Sequence, residues 1–127
     1  MYKRQIIDIL NKIKPPYNIN GLTQQNAIER LQEEDKLQQE IAAILKERDR
    51  LIEAFKTIPF VKRIYPTQAN FILVGVDDVK LRYNQLVQEG FVVRKRDTEP
   101  LCENTLRYTV GTDQENTKLI TILRGLS

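Results

Sequence analysis

Arginines on two predicted strands are the residues of this sequence best suited to bind a ligand. Arg94 lies in a strand predicted after Gly90, and Arg107 lies in a strand predicted over residues 106–110. A guanidinium group binds phosphate or carboxylate through two parallel hydrogen bonds and keeps its charge at neutral pH. Neighbouring strands would present both arginines to one anion. The alternative from the pattern alone is that each arginine is a solvent-facing strand residue.

Four further polar residues are candidates for lining a site. Tyr17, Asn18 and Asn20 belong to a connector that also contains two prolines, and asparagine in such a segment hydrogen-bonds its own backbone. Asn70 is polar at the start of an apolar strand. If Asn70 is buried it needs a hydrogen-bond partner, so a structural hydrogen bond is the alternative to a site role.

Composition excludes several classes of function. The 127 residues contain no histidine and one cysteine, Cys102, which removes the commonest general base, leaves the thiol without an activating partner and argues against a metal site. The net charge of +3 is spread among acidic residues, so no nucleic-acid partner is expected. No apolar run is long enough to span a membrane and no signal peptide is recognisable, so we expect a cytoplasmic protein without a membrane partner.

Helices are predicted before and after the two prolines. Apolar residues spaced on one face predict a helix over residues 2–13, which must end before Pro15-Pro16. Thr23 is the expected N-cap of a short second helix. A longer amphipathic helix is predicted over residues 37–55, with a break near residues 33–35.

The remaining residues predict a small sheet covered by helices. Strands are expected over residues 61–65, 69–76, 91–95 and 106–110, where β-branched and aromatic residues are frequent. Asp77 or Asp78 should cap a helix in which Val79, Tyr83, Leu86 and Val87 share one face, and Gly90 should stop the chain after it. Thr112 and Glu115 form a capping-box pattern for a last helix. The prediction is a two-layer α/β domain with three to four strands.

Several motifs in this order resemble one enzyme family. They are Lys12-Ile13-Lys14-Pro15-Pro16-Tyr17-Asn18-Ile19-Asn20, Leu22-Thr23-Gln24, Ala69-Asn70-Phe71, Val93-Arg94 and Leu106-Arg107-Tyr108-Thr109-Val110-Gly111-Thr112, followed by Glu115-Asn116. Together they resemble the C-terminal portion of the histidinol-phosphate aminotransferases, a family of fold-type I enzymes that use pyridoxal phosphate. The resemblance covers essentially the whole chain.

The resemblance implies a small aminotransferase domain over residues 23–127, preceded by a linking helix and connector over residues 1–22. It implies transfer of an amino group between histidinol phosphate and 2-oxoglutarate in histidine biosynthesis, with Arg94 and Arg107 binding the substrate phosphate. The family's cofactor lysine follows a serine in a larger domain, and that motif is absent here. We therefore expect no catalytic, cofactor-binding or metal-binding residue on this chain and no activity from the chain alone. The family also implies a parent homodimer, with the missing large domain as this chain's partner.

Two alternatives remain open. One is the small domain of a related pyridoxal-phosphate enzyme that acts on another phosphorylated amine, such as threonine-phosphate decarboxylase. The other is a non-catalytic α/β module that binds an anion or a partner. A domain that lacks its larger neighbour should expose an apolar patch, whereas a free-standing module should cover its apolar surface.

Overall fold

A computed structural model describes residues 2–14 and 19–126 of the chain. The helices in these ranges are α1 (Tyr2–Ile13), α2 (Gly21–Leu31), α3 (Glu34–Phe55), α4 (Val79–Gln88) and α5 (Asp113–Gly125). The strands are β1 (Val61–Ile64), β2 (Phe71–Val76), β3 (Arg94–Lys95) and β4 (Thr105–Thr109). The chain divides into two compact units, Met1–Leu37 and Gln38–Ser127. None of the described helices is long and apolar enough to cross a membrane.

The first unit contains α1 and α2. Apolar side chains of α1 are exposed, namely Ile6, Ile9, Leu10 and Ile13. Helix α2 begins at Gly21 because Asn20 is its N-cap, with Oδ1 accepting a hydrogen bond from the Thr23 N–H at 2.8 Å. The predicted cap at Thr23 is therefore wrong, since Thr23 supplies the donor that Asn20 satisfies. The expected break before the long helix is confirmed, and α3 starts at Glu34.

The second unit is built on one four-stranded antiparallel sheet in the order β1-β2-β4-β3. The two central strands pair in continuous register from Phe71 opposite Thr109 to Gly75 opposite Thr105. Adjacent residues of a strand point to opposite faces, so this register separates an apolar face from a mixed one. The predicted α/β class and strand number are confirmed.

The core lies on one face of the sheet, between the strands and the helices. Its sheet residues are Ile72, Val74, Leu106 and Tyr108, and the helices contribute Leu51, Phe55, Leu86, Leu119 and Leu123. The Phe55 and Tyr108 rings are tilted, with centroids 4.8 Å apart, which is a favourable aromatic geometry. Because the helical core residues belong to the same cluster as these strand residues, the second unit has the predicted two layers.

In the second unit, local signals place three helix ends where the sequence predicts them. Asp78 accepts a hydrogen bond from the Leu81 N–H at 2.9 Å and caps α4. Gly90 follows α4 with φ +80°, a conformation that favours glycine. Thr112 and Glu115 form both halves of the capping box of α5, and the hydrogen bond from the Thr112 N–H lowers the pKa of the Glu115 carboxyl.

The predicted strand over residues 91–95 needs correction. Strand β3 contains only Arg94 and Lys95, because the Phe91 N–H donates to the Leu86 carbonyl at 2.8 Å and keeps Phe91 in the turn after α4. Val92 is then 82% exposed. On α4, Val79 and Leu86 are buried, whereas Val87, which shares their predicted face, is exposed.

Arg82 holds three segments of the second unit together. Its Nε and Nη2 donate to the two carboxylate oxygens of Asp77 at 2.9 and 2.7 Å. Nη1 donates to the Leu126 carbonyl at 2.7 Å, and the guanidinium lies 4.2 Å from the centroid of the Phe60 ring. Hydrogen bonding to Arg82 lowers the pKa of Asp77 from 3.8 to about 2. Arg82 thus connects the strand before α4, the segment before β1 and the end of α5.

Replacing Asp77 with asparagine should lower stability in a pH-dependent way. The folded-state pKa of Asp77 is depressed, so its contribution is complete above about pH 5 and is lost as the pH falls towards 2. Because Asp77 is partly exposed, we expect Asp77→Asn to cost about 1 kcal/mol at neutral pH. Urea unfolding measured from neutral to acidic pH should show that the difference in unfolding free energy between wild type and variant becomes smaller as the pH falls. A difference independent of pH would contradict this account, and Asp49→Asn on exposed α3 surface is the control.

Replacing Tyr108 with phenylalanine should preserve or increase stability. The Tyr108 hydroxyl is buried and has no hydrogen-bond partner among the described residues, and burial raises the pKa of this phenol. Removing an unsatisfied hydroxyl relieves a desolvation cost, so a gain of up to about 1 kcal/mol in unfolding free energy is expected. A loss of more than about 1 kcal/mol in thermal or urea unfolding would show that the hydroxyl does have a partner.

Candidate functional site

The sheet register brings the two predicted arginines together. Arg94 of β3 and Arg107 of β4 are direct partners across the antiparallel pair, and Leu73 of β2 lies on the other side of Arg107. Directly opposed residues in an antiparallel sheet have Cβ atoms about 5 Å apart and point to the same face. Both guanidinium groups therefore rise from the face of the sheet opposite the helical core.

Burial and packing distinguish the two arginines. Arg107 is half-buried, and its guanidinium carbon lies 4.9 Å from the centroid of the Phe71 ring. Its Nε is buried and has no hydrogen-bond partner within the part of the chain that the structure describes. Arg94 is exposed. Arg107 thus packs against the Phe71 ring, and its guanidinium makes no hydrogen bond to any described residue. A buried polar group without a partner is unusual and is consistent with a group that receives a ligand.

Electrostatics of the pair favour an anion. Like charges placed directly opposite each other destabilise a sheet. Neither Arg94 nor Arg107 forms an ion pair with a carboxylate among the described residues. A phosphate or carboxylate between the two guanidinium groups would neutralise the repulsion and accept their parallel N–H donors.

A cavity of about 350 Å³ opens beside Arg107 on this face. Its lining residues are Phe71, Leu73, Arg96, Glu99, Pro100, Cys102 and Arg107. Arg94 does not line it, and Arg96 is its second cation. Sequence reasoning does not single out Arg96, although its spacing of two residues from Arg94 places it on the same side of an extended strand.

The other predicted site residues are distributed differently. Asn70 has an exposed side chain, and its backbone carbonyl accepts a hydrogen bond from the Val110 N–H at 2.9 Å. Asn70 does not line the cavity beside Arg107. Asn20 caps α2 in the first unit. Tyr17 and Asn18 lie outside the described residues.

A buried asparagine holds the turn that follows β4. Asn116 is only 1% exposed; its Oδ1 accepts from the Gly111 N–H at 3.0 Å and its Nδ2 donates to the Gly111 carbonyl at 2.9 Å. Nδ2 also donates to Oε2 of Glu47 on α3 at 2.9 Å. A Cβ on Gly111 would lie 2.8 Å from a Glu115 oxygen and 3.1 Å from the Glu115 Cβ, so any other residue at this position would require Glu115 to move. The exit of the strand that carries Arg107 is therefore fixed by α5 and α3.

Comparison with known proteins identifies the family of this chain. The family model for aminotransferases of class I and II matches residues 1–123. The histidinol-phosphate aminotransferase of Flavobacterium johnsoniae is 54% identical over 122 residues, which is 96% of this chain and 35% of that protein. The corresponding enzyme of Flavobacterium psychrophilum is 52% identical over 121 residues, which is 95% of this chain and 35% of that protein.

A solved structure shares the fold as well as the sequence similarity. The histidinol-phosphate aminotransferase of Clostridium acetobutylicum superposes with a TM-score of 0.78 at 28% identity, covering 97% of this chain and 38% of that one. The chain spans about 35% of the length of the curated relatives that it matches. Since the family match covers nearly every residue and the same fold occurs in a solved member, this chain belongs to the class I and II aminotransferase family.

Proposed function

We propose that this chain is the C-terminal, small domain of a histidinol-phosphate aminotransferase and that it binds the phosphate of the substrate. The observation that carries the proposal is the cross-strand pair of Arg94 and Arg107, which lacks a carboxylate partner among the described residues. The relatives that share about half of its residues have this activity in their names.

The chemistry of the substrate explains why two arginines suit it. Histidinol phosphate carries a phosphate ester, a dianion at neutral pH, where an amino acid would carry a singly charged carboxylate. Two guanidinium groups supply parallel donors to several phosphate oxygens and match the charge. The half-buried Arg107 supplies the stronger contact, because a partly desolvated charge pair is less screened than an exposed one. Arg94 adds charge from the exposed side.

In this proposal the cofactor of the family is held by residues outside this chain. Pyridoxal phosphate, when bound, supplies the electron sink for amino-group transfer. A Schiff base with it needs a lysine, and the cavity beside Arg107 is lined by no lysine among the described residues. These residues do not fit the cofactor. In this proposal the chain orients the substrate by its phosphate, the remainder of the protein provides the lysine, and the chain alone is inactive.

The partner in this proposal is the large domain of the same protein. Apolar side chains of α1 are exposed, including Ile13 at 71% exposure. Exposed apolar side chains of this kind support the proposal that a surface outside this chain covers α1. Residues 1–22 would then be the linking helix and connector, and residues 23–127 the small domain. The complete enzyme would form a homodimer through its large domains.

Transamination by the complete protein tests the substrate. The chain joined to its upstream coding region should transfer the amino group of histidinol phosphate to 2-oxoglutarate when supplied with pyridoxal phosphate, and the 127-residue chain should not. Decarboxylation of threonine phosphate without transamination would instead assign the related decarboxylase activity. If neither reaction is catalysed, the chain would be assigned as a non-catalytic binding module. Activity of the 127-residue chain alone would contradict the proposal that the remainder of the protein provides the lysine.

Substitution of the arginines tests the phosphate site. In the complete enzyme, Arg107→Gln should lower kcat/KM for histidinol phosphate by at least about 30-fold, the equivalent of about 2 kcal/mol for a lost charge-paired contact. The exposed Arg94 should show a smaller loss. Unphosphorylated histidinol should be affected much less by either change. Arg63→Gln on β1 is the matched control and should be close to wild type, whereas equal losses with both substrates would contradict phosphate recognition.

A further inference from the structure

We propose that Arg96 is a third anion-binding arginine of this site, and that Glu99 competes with the anion for it. The inference rests on the proposed function, because it assigns a further specificity-determining residue to the same phosphate site. Its basis is the placement of Arg96 and Glu99 in the cavity that Arg107 also lines.

Strand pairing continues far enough to place Arg96. The Arg96 N–H donates to the Thr105 carbonyl at 3.1 Å, one residue beyond the end of β3. Arg96 therefore lies next to Thr105 and diagonal to Arg107, which pairs with Arg94. Diagonal neighbours in an antiparallel pair are about 7–8 Å apart, a separation that two long side chains can bridge through one anion.

The walls of the cavity suit a charged ligand held by arginine. Phe71 and Leu73 form an apolar side, with the Phe71 ring against the Arg107 guanidinium. An apolar side lowers the local screening by water, and the attraction between a guanidinium and a phosphate becomes stronger as screening falls. Arg96 and Arg107 are the only cations among the described residues that line this cavity.

Glu99 forms a weak ion pair with Arg96. Its Oε1 lies 3.2 Å from Nη2 of Arg96, and the two side chains are 47% and 38% exposed. Exposed ion pairs of this kind contribute little to stability, so a dianion can take the place of the carboxylate at small cost. Glu99 also lines the cavity, where its negative charge opposes any bound anion.

A third guanidinium changes which anion is preferred. One guanidinium satisfies the two oxygens of a carboxylate, whereas a phosphate monoester presents three oxygens and about twice the charge and can accept hydrogen bonds from further guanidinium groups. Arg96 should therefore contribute more to phosphate than to carboxylate binding. Preference for the phosphorylated substrate over a carboxylate would then depend on Arg96 and be reduced by Glu99.

Titration of the 127-residue chain tests this inference. Inorganic phosphate at about pH 8, where it is a dianion, and acetate are added separately while NMR follows the arginine Nε–H signals. Arg96→Gln should weaken phosphate binding about threefold to tenfold and acetate binding less. Glu99→Gln should strengthen phosphate binding about threefold. Arg96→Lys should retain part of the contribution of Arg96 to phosphate binding, because the positive charge remains.

A matched control separates local from overall charge. Glu53→Gln changes the net charge as Glu99→Gln does, but Glu53 lies on α3 and pairs with Lys56, so phosphate binding should be unchanged. If Arg107→Gln removes phosphate binding while Arg96→Gln and Glu99→Gln bind as wild type, the Arg96 assignment is overturned and the two-arginine site stands. If the wild-type chain shows no saturable phosphate binding, both the Arg96 assignment and the proposed phosphate site fail.

Discussion

Arg107 lies between two side chains that the core buries completely or nearly so, and the packing of those neighbours determines where its guanidinium points. Leu106 and Tyr108 are 0% and 1% exposed and belong to the helical core. Because side chains alternate along a strand, Arg107 must point to the opposite face. If Arg107 pointed towards the core, the large side chains of Leu106 and Tyr108 would have to leave the core. The arginine is therefore oriented by hydrophobic packing rather than by a salt bridge.

The same constraint explains the arrangement of the site. Pairing of β4 with its two neighbours puts Leu73 and Arg94 on either side of Arg107. The Asn116 hydrogen bonds hold the end of β4 against α5 and α3. The positive charges are thus placed on a pre-formed surface, which lowers the entropy lost when an anion binds.

Much of this unit could be predicted from the sequence because its signals are local. The Asp78 cap, the glycine at position 90 and the capping box at Thr112 each depend on residues within a few positions of one another. The alternation of apolar and polar residues in 106–110 is equally local, and it predicts the face on which Arg107 lies. The sequence predicts only that Arg94 and Arg107 lie on neighbouring strands, and the structure adds that they lie directly opposite each other.

The features that sequence reasoning misses depend on distant contacts or on competition between similar residues. Asn20 and Thr23 both have side chains suited to capping α2, and only the observed hydrogen bond distinguishes them. Strand β3 is short because Phe91 bonds back to α4. Arg96 lines the cavity beside Arg107, and the loop after it contributes Glu99 and Cys102 to the same cavity. No periodic pattern in the sequence predicts that this loop folds back to the cavity.

The most direct test of phosphate binding by Arg107 is a crystal structure of the complete protein with histidinol phosphate bound. We expect a phosphate oxygen within about 3 Å of a guanidinium nitrogen of Arg107, as in other arginine–phosphate pairs, with Arg94 on the same side of the sheet. A phosphate bound elsewhere, with Arg107 making no contact to it, would contradict the assignment of this chain as the phosphate-binding domain.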